Sequence, residues 1–322
     1  MVETPGKITL WQMEVFVAAS DEPSITAAAQ RLGASPSAVS QQLSNLESAL
    51  GAKLLNRSER PMPLTAAGEI FLRRAQTILN EAAQATSELA VKDMSTRVRM
   101  RLGVVDDFDA DVTPALLTNL SEAMPRAQFL LETGASHRLI DQVDARALDI
   151  AIASEVPDLD PSFETLPLLI DPFVVVTPRR LVRDPDKLVA TLRKTPLIQY
   201  TSRHVMGRMV SAHLARQNLA LSHRFELDSY HSIMAMVAKG EGWSILTPLG
   251  VVRAKRFLDK VEMFELPFPP LSRTISVVGR RDGTGDLSQT LAGIVKPLIQ
   301  SEIVDICVHR MPWLAGQMQV LD

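Results

Sequence analysis

Within residues 24–50, SITAAAQRLGASPSAVSQQLSNLESAL, two short apolar patterns with helical spacing flank a small-residue turn. In the second, Val39, Leu43, Leu46 and Leu50 stand at offsets of four, seven and eleven and so share one helix face, while Ser37, Ser40 and Gln41 fall on a different, polar face. The first pattern is small where a crossing helix must come close, at Ala27, Ala28 and Ala29, and Gly33 stops it. A helix with Leu10, Met13, Phe16 and Val17 on one side precedes the pair over residues 10–19, with Thr9 placed to cap it. Two crossed helices with one polar face left over follow helix-turn-helix grammar, whose second helix reads DNA.

After Gly51 the pattern changes. Pro61 and Pro63 make residues 54–65 a short hairpin or wing rather than a helix. Thr65 then caps a long helical pattern over residues 66–92, where Phe71, Ala75, Ile78, Leu79, Ala82 and Leu89 keep helical spacing. A helix of that length outside a large core needs a partner, and a second copy of itself is the expected one.

From Val98 strands alternate with helices. Strands are predicted over residues 98–104, 129–131 and 148–153, with helices at 114–123 and 138–146 between them. A second unit follows, with strands at 173–177, 197–200, 225–227, 244–246 and 261–266, and helices at 205–217, 231–239 and 249–257. A last strand at 274–278 and helix at 287–299 complete the alternation, which implies a mostly parallel sheet covered by helices. Proline-bearing crossings at 167–172 and 267–270 predict that the chain leaves a first lobe and later returns to it, forming a hinged cleft. The tail, 303–322, is expected to pack on the body or on a neighbour.

A chain of 322 residues with 46% hydrophobic content can build two or three domains. Residues 1–65 hold five Lys and Arg against six Asp and Glu, a net of −1, so DNA affinity cannot rest on bulk basicity and must rest on where charges sit. Cys307 is the only cysteine, which excludes an internal disulfide and a cysteine-rich metal site, and is expected to be buried and inert. With no run of eighteen apolar residues and no leader pattern at Met1, the expectation is a cytoplasmic protein without membrane contact.

Together these residues resemble the LysR-type transcriptional regulators. At the amino-terminal end the match rests on Phe16, Ser24, Ala28, Ala29, Leu32, Ser35, Ala38, Val39, Ser40, Leu46, Glu47, Leu50, Gly51, Arg57, Leu64, Thr65, Ala67 and Gly68. Later it is carried by Gly103, Gly134, Ser136, the run Leu148 to Ile152, and Gly240, Gly242 and Pro248. The resemblance implies a winged helix-turn-helix DNA-binding domain over residues 1–65 and a linker and dimerisation helix over 66–95. It also implies an α/β two-lobed effector-binding domain over 96–322, similar to periplasmic solute-binding proteins. Lobe I would take 96–168 and 270–322, lobe II 169–269, and the whole would assemble as a homodimer or homotetramer. Pro36 and Ser37 stand where the family most often has Gln then Pro, so the family's glutamine contact has no counterpart at Pro36.

At the DNA end, Ser35 and Ser37 suit phosphate at the start of the recognition helix, and Ser40, Gln41 and Gln42 suit base edges. Arg57 and Arg60 on the wing suit phosphate or the narrow minor groove. A symmetric pair of such helices requires a palindromic duplex site with half-sites about one helical turn apart.

At the effector end, four segments at strand ends qualify for ligand contact. They are Asp106, Asp107 and Phe108; Thr133, Ala135 and Ser136; Thr201, Ser202 and Arg203; and Asp228, Ser229, Tyr230 and His231. Asp106 and Asp107 stand where the family more usually has Ser or Thr. Two carboxylates argue against a simple small anion, unless Arg203 pairs with one, and fit a zwitterion with an amine and a carboxylate. Asp106, Asp228, Ser136, Thr201 and Ser229 also read as helix caps, and His204 and His231 as packed or solvated. No Ser–His–acid spacing, phosphate-cradling glycine loop or HExxH helix occurs, so no catalytic residue, metal or cofactor is expected. A solute-binding protein without a DNA role is the alternative reading, and an enzyme on the same scaffold comes third.

Overall fold

The computed structural model describes residues 8–57, 59, 61–89, 98–155, 159–217, 223–282 and 286–321. Contacts divide the chain into two compact units, Met1–Thr96 with Asp144–Ala147, and Arg97–Val143 with Leu148–Asp322.

Four helices build the first unit: α1 (Leu10–Asp21), α2 (Ile25–Leu32), α3 (Pro36–Leu50) and α4 (Ala66–Leu89). Each begins where the sequence offers a hydroxyl. Thr9 and Gln12 form a reciprocal capping box, Ser24 accepts from the Ala27 N–H, Ser35 from Ala38, and Thr65 from Gly68. Pro36 occupies the first turn of α3, where its missing N–H costs nothing. Gly33 ends α2 at φ +63°, a left-handed conformation that a Cβ would strain, and this lets α3 cross α2 after only three residues. The core gathers Phe16, Ala28, Ala29, Val39, Leu43 and Leu46 with Leu54 and Leu55 from the wing, whose two arms pair at Leu55 and Leu64.

Two expectations change here. Leu10 is exposed, while Gln12 and Val15 are buried in its place, because the capping box turns Gln12 inward. Helix α4 does pack on its own unit, through Phe71, Leu72, Ala75 and Leu79, and Phe16 and Phe71 lie 5.5 Å apart. Its Ile70 and Ile78 remain exposed on another face. Residues 90–92 of the expected helix lie outside the described residues.

The second unit contains two sheets and a ribbon. In chain order its elements are β1 (Val98–Val105), α5 (Thr113–Ala123), β2 (Ala127–Gly134), α6 (Ser136–Asp144), β3 (Ile150–Ser154), β4 (Phe163–Pro172) and β5 (Val174–Pro178). Then come α7 (Leu188–Lys194), β6 (Leu197–Tyr200), α8 (Val205–Arg216), β7 (His223–Leu227), α9 (Tyr230–Ala238), β8 (Ser244–Leu246) and α10 (Pro248–Arg253). The chain finishes with β9 (Val261–Glu265), β10 (Ser272–Arg280), α11 (Leu287–Ile299), α12 (Asp305–Arg310) and β11 (Gln319–Val320). The larger sheet has the order β11-β4-β10-β3-β1-β2, the smaller β8-β5-β9, and β6 pairs with β7. A bridge between Leu197 and Trp243 joins that ribbon to the smaller sheet, and Trp243 is fully buried beneath it.

Among the described residues only three pairings between named strands are parallel, β1 with β2, β1 with β3, and β6 with β7, so the expected mostly parallel sheet is corrected to a mixed one. The returning strand β10 runs antiparallel between β3 and β4. The crossing expected at 167–172 is strand β4 itself. Pro167 is accommodated because the register slips by one residue against β10 beside it, a bulge that removes the need for its N–H. The chain crosses between lobes through β4 into β5, and back from β9 into β10. The tail packs on its own body: Cys307, Met311, Leu314 and Met318 are buried in the main core, and β11 pairs with β4.

Candidate functional site

On the first unit, Ser35, Ser37 and Gln41 are exposed at the start and along the outer face of α3, with Ser40 and Gln42 half-buried. The Ser35 and Ser37 hydroxyls lie 3.1 Å apart at the helix start, where the positive end of the helix dipole also lies. Gln41 donates from Nε2 to Asn45 Oδ1 at 2.9 Å, which orients its amide and leaves its carbonyl oxygen outward.

Behind this face sits a charged clamp. Glu47, only 3% exposed, accepts from the Leu54 N–H at 3.0 Å, from Lys53 Nζ at 2.8 Å and from Arg57 Nη2 at 2.8 Å. Burial works against its charge, but Lys53, the Leu54 N–H and Arg57 outweigh that and hold its carboxyl below the usual value. Arg57 also reaches Ser44 through Nη1 at 3.2 Å. The Arg57 guanidinium, expected at DNA phosphate, is engaged here by Glu47 and Ser44 and ties the wing to the recognition helix. Arg60 lies outside the described residues.

On the second unit, a cavity of about 360 Å³ lies at the carboxyl ends of β1, β2, β3, β6 and β7, where an α/β fold leaves strand ends and helix starts facing a crevice. From lobe I it is lined by Val105, Asp106 and Asp107, by Ala135, Ser136 and His137, and by Ser154 and Arg273. Lobe II supplies Tyr200, the His204–Met206 turn, the Asp228–His231 segment and Arg253.

The two most buried charges in this wall are Arg273 and Asp107, and the hydrogen bonds of Arg273 organise it. Arg273 Nη2 donates to Asp107 Oδ2 at 2.6 Å and to Asp171 Oδ2 at 2.8 Å, and its Nε to Asp171 Oδ2 at 2.9 Å. The remaining donor reaches Ser154 Oγ at 3.3 Å and Met206 Sδ at 3.1 Å. Burial opposes the charge on Arg273, but Tyr230, Asp107 and Asp171 more than offset it, so its pKa stands well above the ordinary arginine value. Arg253 Nη1 lies 4.0 Å from Asp107 Oδ1. Aromatic rings form the opposite wall: Tyr200 and Tyr230 are 5.3 Å apart, and His204 contacts both Tyr200 and, across the lobes, His137. Tyr230 donates to Met206 Sδ at 3.0 Å and packs over Gly250, where a Cβ would lie 2.0 Å from its ring.

Two families match this chain: "Bacterial regulatory helix-turn-helix protein, lysR family" over residues 10–69, and "LysR substrate binding domain" over residues 95–296. The chain belongs to the LysR family. Among its relatives is a probable hydrogen peroxide-inducible genes activator of Mycobacterium avium, 28% identical over 305 residues that cover 91% of this chain and 95% of that one. Another is the transcriptional regulator CbbR of Cereibacter sphaeroides, 28% identical over 277 residues, 83% and 86% of the two chains. In fold, it is similar to a full-length OxyR variant of Pseudomonas aeruginosa, with TM-score 0.59, 24% identity and coverage of 90% and 95%. The LysR regulator CbnR bound to its target DNA gives TM-score 0.59 at 18% identity, covering 90% and 99%. As a LysR protein, the chain is a DNA-binding transcriptional regulator with an effector-binding domain.

In this LysR regulator the expected ligand residues divide. Asp106, Asp107, Ala135, Ser136, Asp228, Ser229, Tyr230 and His231 line the cavity. Phe108 does not: it is fully buried in the hydrophobic core, where an aromatic ring gains most. Thr133 is exposed at the end of β2, outside the lining. Thr201, Ser202 and Arg203 also stand outside it, because Glu226 draws their loop away. Thr201 Oγ1 donates to Glu226 Oε1 at 2.8 Å, and the Ser202 N–H at 2.9 Å. Arg203 is exposed, so the guanidinium that meets Asp107 is that of Arg273. Ser136 is not a helix cap either; its Oγ accepts the Ser154 N–H at 2.9 Å.

Sequence reasoning missed Arg273, Arg253, Tyr200, Met206 and His137. Arg273 lies one residue before the strand predicted at 274–278, and nothing local distinguishes an inward arginine there from a solvated one. Among the described residues no group of His, Cys, Asp and Glu could hold a metal ion, and no helix is long and apolar enough to cross a membrane.

Proposed function

We propose that this LysR regulator binds a duplex through Ser35, Ser37, Ser40, Gln41 and Gln42, and that a small molecule in the cavity between the lobes controls the regulation. The observation that carries the reading is α3 itself, with Ser35, Ser37 and Gln41 exposed while Val39, Leu43 and Leu46 are buried. Ser35 and Ser37 set position on phosphate, and Gln41 reads a base edge with the amide that Asn45 orients. Residues 1–65 serve as the DNA-binding domain, 66–95 as the linker, and 96–322 as the effector domain. The exposed Ile70 and Ile78 of α4 support pairing with a second copy, which places two α3 helices on a palindromic site. An effector acts by favouring one assembly state over another through differential contacts.

The protein works in the cytoplasm, where its DNA is, and performs no catalysis. Its signal is not thiol oxidation. Cys307 is fully buried, and burial pushes its thiol up to about 12, which leaves no thiolate for an oxidant to meet.

The test is selection of duplex sequences by the full-length protein, followed by binding of the winning site and its scrambled version. A palindromic winner, with Gln41→Ala losing preference between the two, supports the reading. Equal affinity of the unaltered protein for both duplexes overturns it.

A further inference from the structure

The cavity's own charges name the chemistry of its occupant. Arg273 has its donors taken by Asp107, Asp171, Ser154, Met206 and Thr247, whereas Arg253 makes no hydrogen bond among the described residues and balances two carboxylates at longer range, Asp107 at 4.0 Å and Asp106. An incoming anion would have to displace Asp107 to reach Arg273.

Two other lining carboxylates have no such partner. The carboxylates of Asp106 and Asp228 accept no hydrogen bond and form no ion pair among the described residues; Asp228 is exposed at the cavity rim, so the cost of desolvation falls on Asp106. Asp106 is half-buried, and that burial, more than any neighbour, raises its carboxyl above the usual range, with Arg253 only partly opposing it. Beside them stands Tyr200, 8% exposed, lining the cavity with a hydroxyl that has no hydrogen-bond partner among the described residues. Burial, then Asp107, pushes that hydroxyl up to about 12, so it remains a neutral donor and acceptor. A half-desolvated carboxylate without a partner is costly unless a cation completes it, and the faces of Tyr200 and Tyr230 favour positive charge.

We propose that the effector carries a cationic head, an amine or guanidinium, which seats among Asp106, Asp228 and the Tyr200 hydroxyl. This rests on the reading of the cavity as the effector site and adds the ligand's class. A single carboxylate elsewhere on the ligand is compatible with the assignment; an acid without a cationic group is not.

The experiment is calorimetric titration of the full-length protein at pH 7.5 with matched pairs: 1,5-diaminopentane against glutarate, and 2-phenylethylamine against 3-phenylpropionate, with phenylalanine as the zwitterion. At least one amine-bearing probe is expected to bind at least tenfold tighter than its matched acid. Asp106→Asn and Asp228→Asn, near-isosteric changes, are each expected to weaken that probe at least tenfold. Filling the cavity by Ala135→Trp is expected to abolish its binding. The assignment is overturned if no amine binds, if the acids bind as tightly, or if amine binding survives either Asn change or the Trp change. An acid that binds the unaltered protein but not the Trp variant sinks the charge assignment and leaves the effector reading standing. The effector reading itself fails if a ligand-dependent change in DNA binding is identical in the Trp variant.

Discussion

Arg273 Nη2 lies 2.6 Å from Asp107 Oδ2 and 2.8 Å from Asp171 Oδ2, so one buried guanidinium joins the turn after β1 to the end of β4. Removing it leaves two buried carboxylates side by side. Arg273→Met is expected to cost about 3 to 5 kcal/mol, and Asp171→Asn in the same chain to restore part of it, because like charges are then no longer buried together. Urea melts of the single and double variants check this; a loss under about 1 kcal/mol for Arg273→Met would show the triad to be dispensable.

The Glu47 clamp makes the first unit acid-sensitive in a definite direction. Since its folded pKa is depressed below 4.5, its contribution is fully present above that value and is lost as pH falls through the folded pKa. Glu47→Gln is expected to lower stability by about 1 to 3 kcal/mol at neutral pH, with the gap between variant and parent closing under acid. Melting curves across pH 2 to 7 read it, and a gap independent of pH would refute the charge-based account.

Arg57→Ala belongs to the same clamp. The inward guanidinium predicts a loss of melting temperature before any uniform loss of DNA affinity, since Glu47 then keeps only Lys53 and the backbone. Parallel melts and gel shifts decide: unchanged melting with weakened binding to every duplex would restore the phosphate role.

Gln41→Ala is expected to cost roughly 1 to 3 kcal/mol on the selected site and to relax its preference. Anisotropy titrations on matched and scrambled duplexes test it, and equal losses on both would remove Gln41 from base readout.

Gly250 lies where a Cβ would come within 2.0 Å of the Tyr230 ring. Gly250→Ala is expected to push Tyr230 toward the cavity and to destabilise by about 1 to 3 kcal/mol through overpacking. Tyrosine fluorescence and thermal melting follow the shift; an unmoved melting point would show the ring to be free to yield.

The helical end of the molecule was legible because local chemistry decides it. Thr9, Thr65, Gly33 and Gly51 each mark a terminus that backbone geometry requires, and all four stand where they were expected; Ser24 and Ser35 prove to be caps as well. The cavity was half legible. Strand ends locate Asp106, Ser136 and Tyr230, but whether a side chain turns in depends on distant partners such as Glu226, which holds Thr201 and Ser202, or Asp171, which orients Arg273. Prolines misled at β4, since a bulge accommodates Pro167 within a paired strand.

That strand has a mechanical meaning. The two passages between the lobes are not independent tethers: Pro172 pairs with Ser272, and the Phe173 N–H donates to the Leu271 carbonyl at 2.8 Å, so they leave lobe I as a laced ribbon. A laced pair flexes across its flat face and resists shear along its length, because sliding would break the ladder. The lacing therefore favours rocking of one lobe against the other over sliding.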